Sequence, residues 1–272
     1  MATWKDLRES NVFWIGAHRG GLALGPENTL ETALLGFRSG AHFWELDVQL
    51  SADGVPMVLH DDTLERTTNA PSLYPERRPW YVWNFSRSEL AALNIVDFRK
   101  NKLHDNAHQT PSKVLRIPTL REALEMTRNL GWLVNVEIKG KAEHHERLVQ
   151  ETLRLITELG MVSQVLLSSF HLEVLSRVRA LKVPVATGVL VSDDVKDPVG
   201  LVRAWKAFSF HPEQSRVHPE MIEACRNEGI PVIAWTVNDS TRVQKLQNWS
   251  VSAVISDRPD ELCGKAKRSA HV

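Results

Sequence analysis

Short apolar runs alternate with helical patterns along almost the whole chain, and that alternation admits few folds. A strand followed by a helix, repeated many times, packs as a parallel sheet wrapped by helices. The apolar runs cover residues 12–17, 43–49, 55–60, 132–138, 165–169, 183–190, 207–210, 231–237 and 253–256. Nine strands are one more than an eight-stranded barrel holds. The second and third are separated only by Ser51-Ala52-Asp53-Gly54, whose Asp-Gly pair is a tight-turn signal. A parallel pair needs a crossover of about a dozen residues or more, so one of these two segments is an antiparallel addition. Eight parallel strands remain, and the expected fold is an α/β irregular (β/α)8 TIM barrel.

Helical patterns fill the gaps at residues 29–39, 119–129, 143–159, 172–181, 219–228 and 240–247. Thr119 with Glu122 three residues on makes a capping-box pattern, and Gly131, Gly160 and Gly229 lie just past three of the predicted ends. From about residue 71 to about 116 the alternation breaks. Pro, Asn, Arg and aromatics dominate there, with one short helical piece near 86–93. A barrel carries such loops over its catalytic face, so this stretch is expected to be an inserted lid within a single domain spanning 1–272.

Lysine plus arginine numbers 33, as does aspartate plus glutamate, so no overall basic field exists to draw nucleic acid or anionic membrane. No apolar run approaches the ~18 residues of a membrane span, and the first residues lack the order of a signal peptide. The expectation is a cytoplasmic protein that binds no nucleic acid and does not insert stably in membranes. Cys225 and Cys263 offer neither a disulfide framework nor metal-ligand spacing, and Cys225 reads as a packing residue in a helix.

Strand parity then sorts the polar residues. In Phe43–Leu50, Glu45 and Asp47 share one face, while Trp44, Leu46, Val48 and Leu50 share the other. The apolar face packs on helices, which turns both carboxylates into the barrel. Two adjacent inward carboxylates repel unless positive charge separates them. A divalent cation with oxygen ligands supplies that charge, and internal Arg or Lys is the alternative. Asn135, Glu137 and Lys139 share a face of the 132–138 run by the same parity, adding a third carboxylate and a cation. His18 and Arg19 end the first strand, and His60 ends the third segment. Histidine exchanges protons near neutral pH, and the arginine fork suits phosphate oxygens. Trp235 and His211, at strand ends, are candidates for lining the pocket. His104 and His108 are too few for a zinc site of their own. His144-His145 opens a charged helix and reads as solvated. Trp80, Tyr81, Trp83 and Phe85 make either an aromatic wall for a choline headgroup or the small core of the lid.

Taken in order and spacing, His18-Arg19-Gly20, Pro26-Glu27-Asn28-Thr29, Glu45-Leu46-Asp47, Asp53-Gly54, His60-Asp61 and Leu64-Glu65-Arg66-Thr67-Thr68 resemble the glycerophosphodiester phosphodiesterase signature. Ile117-Pro118-Thr119-Leu120, Glu137-Ile138-Lys139, Trp235-Thr236-Val237-Asn238 and Ile255-Ser256-Asp257-Arg258-Pro259 extend the match over nearly the whole chain. The resemblance implies a TIM barrel of the phospholipase-C-like (PLC-like) phosphodiesterase type. It also implies one divalent cation, Ca2+ or Mg2+, and hydrolysis of small glycerophosphodiesters such as glycerophosphocholine or glycerophosphoethanolamine to sn-glycerol 3-phosphate and an alcohol. By that resemblance Glu45, Asp47 and Glu137 are metal ligands, His18 and His60 the acid–base pair, and Arg19 and Lys139 the phosphate-holding cations. The competing expectations are a lysophospholipase D or sphingomyelinase-D-like activity at the same site, and a non-catalytic phosphodiester-binding barrel. The insertion is the poorest match.

Overall fold

In the computed structural model, residues 2–10, 12–96 and 114–263 are described. Eight parallel strands, β1 (Trp14–Ala17), β2 (Phe43–Leu50), β4 (Leu133–Ile138), β5 (Val165–Ser169), β6 (Ala186–Val191), β7 (Ser209–Pro212), β8 (Ile233–Ala234) and β9 (Ala253–Ser256), form the barrel wall. Their spatial order is β7-β6-β5-β4-β2-β1-β9-β8. Isolated parallel bridges, Phe210 with Val232 and Glu213 with Trp235, draw the two outer edges together and nearly close the ring. The surplus strand is β3 (Pro56–Val58), antiparallel to β2 through Val48–Val58 and Leu50–Pro56. Gly54 makes the reversal possible, since its φ of 83° lies where a side chain is strained.

The parity argument holds on both sides of the wall. Trp44, Leu46 and Val48 of β2 and Val134, Val136 and Ile138 of β4 pack outward against Leu120, Leu124, Leu148 and Ile156 of the helices Leu120–Asn129 and His145–Glu158. Each such residue, fully buried, contributes about 1.5–3 kcal/mol by leaving water. Inside, Trp14, Phe43, Leu133, Leu166 and Ile233 plug the end of the barrel where the strands begin, sealed by Trp4 and Leu7. Polar residues are therefore left to the other end.

The helix boundaries follow from local chemistry. Thr29 accepts from the Thr32 amide ahead of Leu30–Arg38, and Thr119 with Glu122 forms the full capping box ahead of Leu120–Asn129. Cys225 is fully buried in the helix Pro219–Asn227, where burial pushes its thiol up to about 11, as a packing residue should be. The helix Pro198–Ala204 has no counterpart in the sequence reading. Pro198 opens it and the Asp197 side chain caps the Gly200 amide at 2.8 Å. Strand six begins at Ala186 rather than 183, because Pro184 has no N–H to give a ladder.

The insertion holds more helix than its composition suggests: Ala70–Leu73 and Arg87–Ala92, with single turns at Pro75–Arg77 and Val82–Asn84. Its described part has a small core of Trp80, Val82, Phe85, Leu90 and Leu93, joined to Met57 of β3 and to Leu59 and Leu64 after it. His104 and His108 lie outside the described residues. No helix among the described residues is long and apolar enough to cross a membrane.

Candidate active site

β2 and β4 run side by side in register, with Glu45 opposite Asn135 and Asp47 opposite Glu137. Parallel register partners point the same way, so all four side chains enter the barrel. Oxygens of Glu45, Asp47 and Glu137 lie within 4.8 Å of one another, while Glu45 and Asp47 are only 3% and 1% exposed. Burial, then repulsion from Asp47 and Glu137, pushes the Glu45 carboxyl well above the ordinary glutamate range. Burial and Asp47 raise Glu137 as well. Burial would also raise Asp47, but Arg19, His60 and Lys139 outweigh it and hold that carboxyl below its usual value.

His18 and Arg19 leave β1 in a tight turn, His18–Gly20, with Arg19 at φ 50°. A left-handed arginine is a costly conformation that persists only when its surroundings fix it. Here the turned Arg19 amide donates to Glu45 Oε2 at 2.9 Å. The guanidinium donates to Glu27 Oε1 at 2.8 Å and stands 3.5 Å from Asp47 Oδ2. Asn28, also left-handed at φ 57°, completes the turn. Its amide nitrogen donates to Asp47 Oδ2 at 2.9 Å, and its Oδ1 accepts the Asp47 amide at 3.2 Å. Glu27 thus aims Arg19 and Asn28 aims Asp47.

The antiparallel return through β3 brings His60 back toward the carboxylates. The Gln49 side chain donates to the His60 and Asp61 carbonyls at 2.9 and 2.7 Å, tying that turn to β2. Each histidine has a carboxylate on its Nδ1: Asp61 for His60 at 2.7 Å, and Asp257 for His18 at 2.5 Å. Asp257 is itself held by the Asn238 side chain at 2.7 Å. Lys139 donates to Glu137 at 3.0 Å and lies 3.8 Å from Asp47.

His18, Arg19, Glu45, His60, Glu137 and Lys139 all line one cavity of about 120 Å³. The opposite wall is apolar, made by Phe170, Leu190, Trp235 and Ile255. Trp235 and Phe170 meet edge to face with centroids 5.4 Å apart. His211 is not on this wall. It is fully buried with Nε2 2.8 Å from Ser209 Oγ, and burial pushes its pKa down to about 3. The space it occupies exists because residue 188 is glycine; an added Cβ there would sit 2.4 Å from His211 Nε2. His211 serves the pocket indirectly, since its carbonyl accepts the Trp235 indole N–H at 2.8 Å. The solvated reading of His144-His145 fails for His145, which is fully buried and bonded to the Gly140 carbonyl. The four insertion aromatics divide. Trp80 and Phe85 belong to the insertion core, whereas Tyr81 and Trp83 are half-buried and stacked at 4.6 Å.

Five residues that the geometry ties to the site carried no role in the sequence reading: Glu27, Asn28, Asp61, Asn238 and Asp257. All lie inside the motifs quoted above. A carboxylate next to a strand-end histidine was a usable signal for Asp61; nothing local marks Asp257 as the partner of His18.

A nearly closed barrel with an acidic cluster, paired histidines and two cations in one cavity defines the class of barrel phosphodiesterases. The glycerophosphoryl diester phosphodiesterase family model matches residues 18–261, and the chain belongs to this family of hydrolases. Glycerophosphodiester phosphodiesterase of Caldanaerobacter subterraneus subsp. tengcongensis is 28% identical over 253 residues, covering 93% of this chain and 97% of that protein. The solved phosphodiesterase of Oleispira antarctica, in complex with the product sn-glycerol-3-phosphate, aligns with a TM-score of 0.81 at 27% identity, covering 96% of this chain and 99% of that one. Glycerophosphodiester phosphodiesterase of Agrobacterium tumefaciens aligns with a TM-score of 0.76 at 26% identity, covering 93% and 100%.

Proposed function

We propose that the chain hydrolyses small glycerophosphodiesters, such as glycerophosphocholine or glycerophosphoethanolamine, to sn-glycerol 3-phosphate and an alcohol, using one divalent cation. The observation that carries this reading is one cavity lined by Glu45, Glu137, His18, His60, Arg19 and Lys139, with Asp47 buried in the same carboxylate cluster. The product bound to the Oleispira antarctica relative supports the substrate class.

The residues fit a divalent ion. Glu45, Asp47 and Glu137 form an all-oxygen donor set of the kind Ca2+ or Mg2+ prefers. Asn135, the register partner of Glu45, keeps a buried Oδ1 without a hydrogen-bond partner. Charge balance agrees: the carboxylates of Glu45, Asp47, Glu137 and Glu27 outnumber the Arg19 and Lys139 cations that face them. A divalent ion would offset that surplus of negative charge and make the cavity more attractive to a phosphodiester anion. When bound, such an ion supplies Lewis-acid polarisation of a phosphoryl oxygen.

The chain's own residues do the rest. Arg19 and Lys139 hold the phosphate and neutralise charge that builds on its oxygens. His18 and His60 divide the proton transfers: one takes the proton of the nucleophile, either water or the glycerol 2-hydroxyl whose cyclic phosphate water then opens, and the other delivers a proton to the departing alcohol. Asp257 and Asp61, on the two Nδ1 atoms, fix the rings and leave each Nε2 to act, that of His18 standing 3.9 Å from Glu45 Oε2. Phe170, Leu190 and Trp235 exclude water beside the phosphate and receive the carbon skeleton. A position of the insertion near the mouth of this site is supported by the bridge between its Tyr81 and Thr63, just beyond His60.

His18→Ala and His60→Ala, assayed with glycerophosphocholine and excess metal, should each lose about 10²–10⁴-fold in turnover. Near-normal turnover in either would sink the pair assignment. A preference of the unsubstituted enzyme for lysophosphatidylcholine would replace the substrate assignment.

A further inference from the structure

We propose that Arg66 is a positioning residue for the reaction, locking the carboxylate that aims His60 to the carboxylate that aims Arg19. The inference rests on the placement of His60 and Arg19 in the site just proposed. Arg66 is not among the residues lining the cavity, so it acts through others.

The guanidinium grips two carboxylates at once. Its Nε and Nη2 donate to the two oxygens of Asp61 at 2.6 and 2.8 Å. Its Nη1 and Nη2 donate to the two oxygens of Glu27 at 2.7 Å each. Both partners face the site with oxygens already in use. Asp61 Oδ1 lies 2.7 Å from His60 Nδ1, and Glu27 Oε1 accepts from Arg19 Nη1 at 2.8 Å. An unbroken series of hydrogen-bonded charges therefore runs from His60 through Asp61, Arg66 and Glu27 to Arg19.

Only a planar, three-nitrogen fork can hold two carboxylates in this geometry; a lysine ammonium is a point charge and fixes neither orientation. The bland alternative is a surface ion pair, which contributes little. Burial decides between them. The Arg66 side chain is 37% exposed, but that of Glu27 is only 4% exposed. Without Arg66, Glu27 keeps Arg19, and Asp61 keeps the His60 ring. Each pair is then free to swing. An acid–base group and a phosphate-holding group thus lose their alignment together, although neither loses its own partner.

The test uses Arg66→Ala and Arg66→Lys, with steady-state hydrolysis of glycerophosphocholine at saturating Mg2+ or Ca2+. Loss of an outer partner of this kind costs about 10–100-fold, and kcat/KM of Arg66→Ala should fall by that much with kcat reduced as well as KM raised. Lysine should not rescue it, whereas added ethylguanidinium should restore part of the Arg66→Ala activity and ethylammonium should not. Arg66→Ala added to Asp61→Asn should cost clearly less than Arg66→Ala costs alone, because the Asp61 arm is already lost and only the Glu27 arm remains to be freed. Should Arg66→Ala fail to fold, Arg66→Lys gives the same reading through its kcat/KM. Wild-type kcat/KM in Arg66→Lys, or full additivity with Asp61→Asn, overturns the inference. An unsubstituted protein without turnover would overturn the functional reading and this inference with it; an active one with undiminished Arg66 variants overturns this inference alone.

Discussion

Glu45→Gln tests the carboxylate cluster as a cation site without relying on turnover. Glu45 is 3% exposed and its carboxylate shares a 4.8 Å cluster with Asp47 and Glu137. At that separation and an effective dielectric near 20, each pair of like charges costs about 3 kcal/mol, partly offset by Arg19 and Lys139. Burial and this repulsion raise the native pKa of Glu45 and Glu137 above their unfolded values. Between those values these two groups bind more protons in the native state than in the unfolded chain, so their contribution to the stability of the metal-free protein falls as pH rises through that window. Below about pH 6.5 it is opposed by His42, His145 and His211, whose pKa burial lowers. Glutamine keeps an oxygen to accept the Arg19 amide and removes one charge. In chelator at pH 8 the variant should gain about 1–3 kcal/mol, or about 2–6 °C in melting temperature, with a shallower pH slope. Metal should reverse the order. At about a hundred times its dissociation constant a bound ion stabilises the unsubstituted protein by about 2.7 kcal/mol, and the variant should lose most of that. Thermal melts from pH 5 to pH 8, with and without Mg2+ or Ca2+, read both effects. A variant that melts lower in chelator at pH 8, with the same pH slope as the parent, would refute the reasoning: Arg19 and Lys139 would already balance the cluster, leaving no demand for an ion.

Asp257→Asn keeps the shape beside His18 but removes the charge 2.5 Å from its Nδ1, so kcat should drop about 10–100-fold. Metal affinity, measured by calorimetry, should stay unchanged, because Asp257 is not in the cluster; a matching loss of metal binding would contradict the role. Gly188→Ala places a methyl 2.4 Å from His211 Nε2 in a fully buried layer. Overpacking of this sort costs about 1–3 kcal/mol, and the melting temperature should fall by about 2–6 °C, with KM raised because His211 carries Trp235. An unchanged melt would mean that the ring moves aside freely.

Much of this was legible because strands alternate. Parity alone separates Glu45 and Asp47 from Trp44, Leu46 and Val48, and the structure puts the second set under the helices Leu120–Asn129 and His145–Glu158. The Asp-Gly turn likewise foretold that β3 would run back along β2. Errors came where a residue's fate depends on its neighbour across the barrel. His211 has the right parity to enter the barrel, but its depth is set by the missing side chain at Gly188 on the next strand. His145 opens a charged helix, yet it folds inward to the Gly140 carbonyl.

The partners of the site residues were hidden for a related reason. His18 and Asp257 are 239 positions apart and meet only because β1 pairs with β9 in register, Ala17 opposite Ser256. The next residues along each strand, His18 and Asp257, then face each other across the seam that joins the chain's first strand to its last. No local pattern encodes that meeting; barrel closure does. Glu27 and Asp61 are likewise brought together by a side chain from a third segment, Arg66. The motifs therefore mark which residues gather at the cavity, whereas for His18 the fold decides which carboxylate holds it. A substitution that loosens closure between β1 and β9 should accordingly mimic Asp257→Asn in kcat while leaving the carboxylate cluster, built wholly on β2 and β4, unaffected.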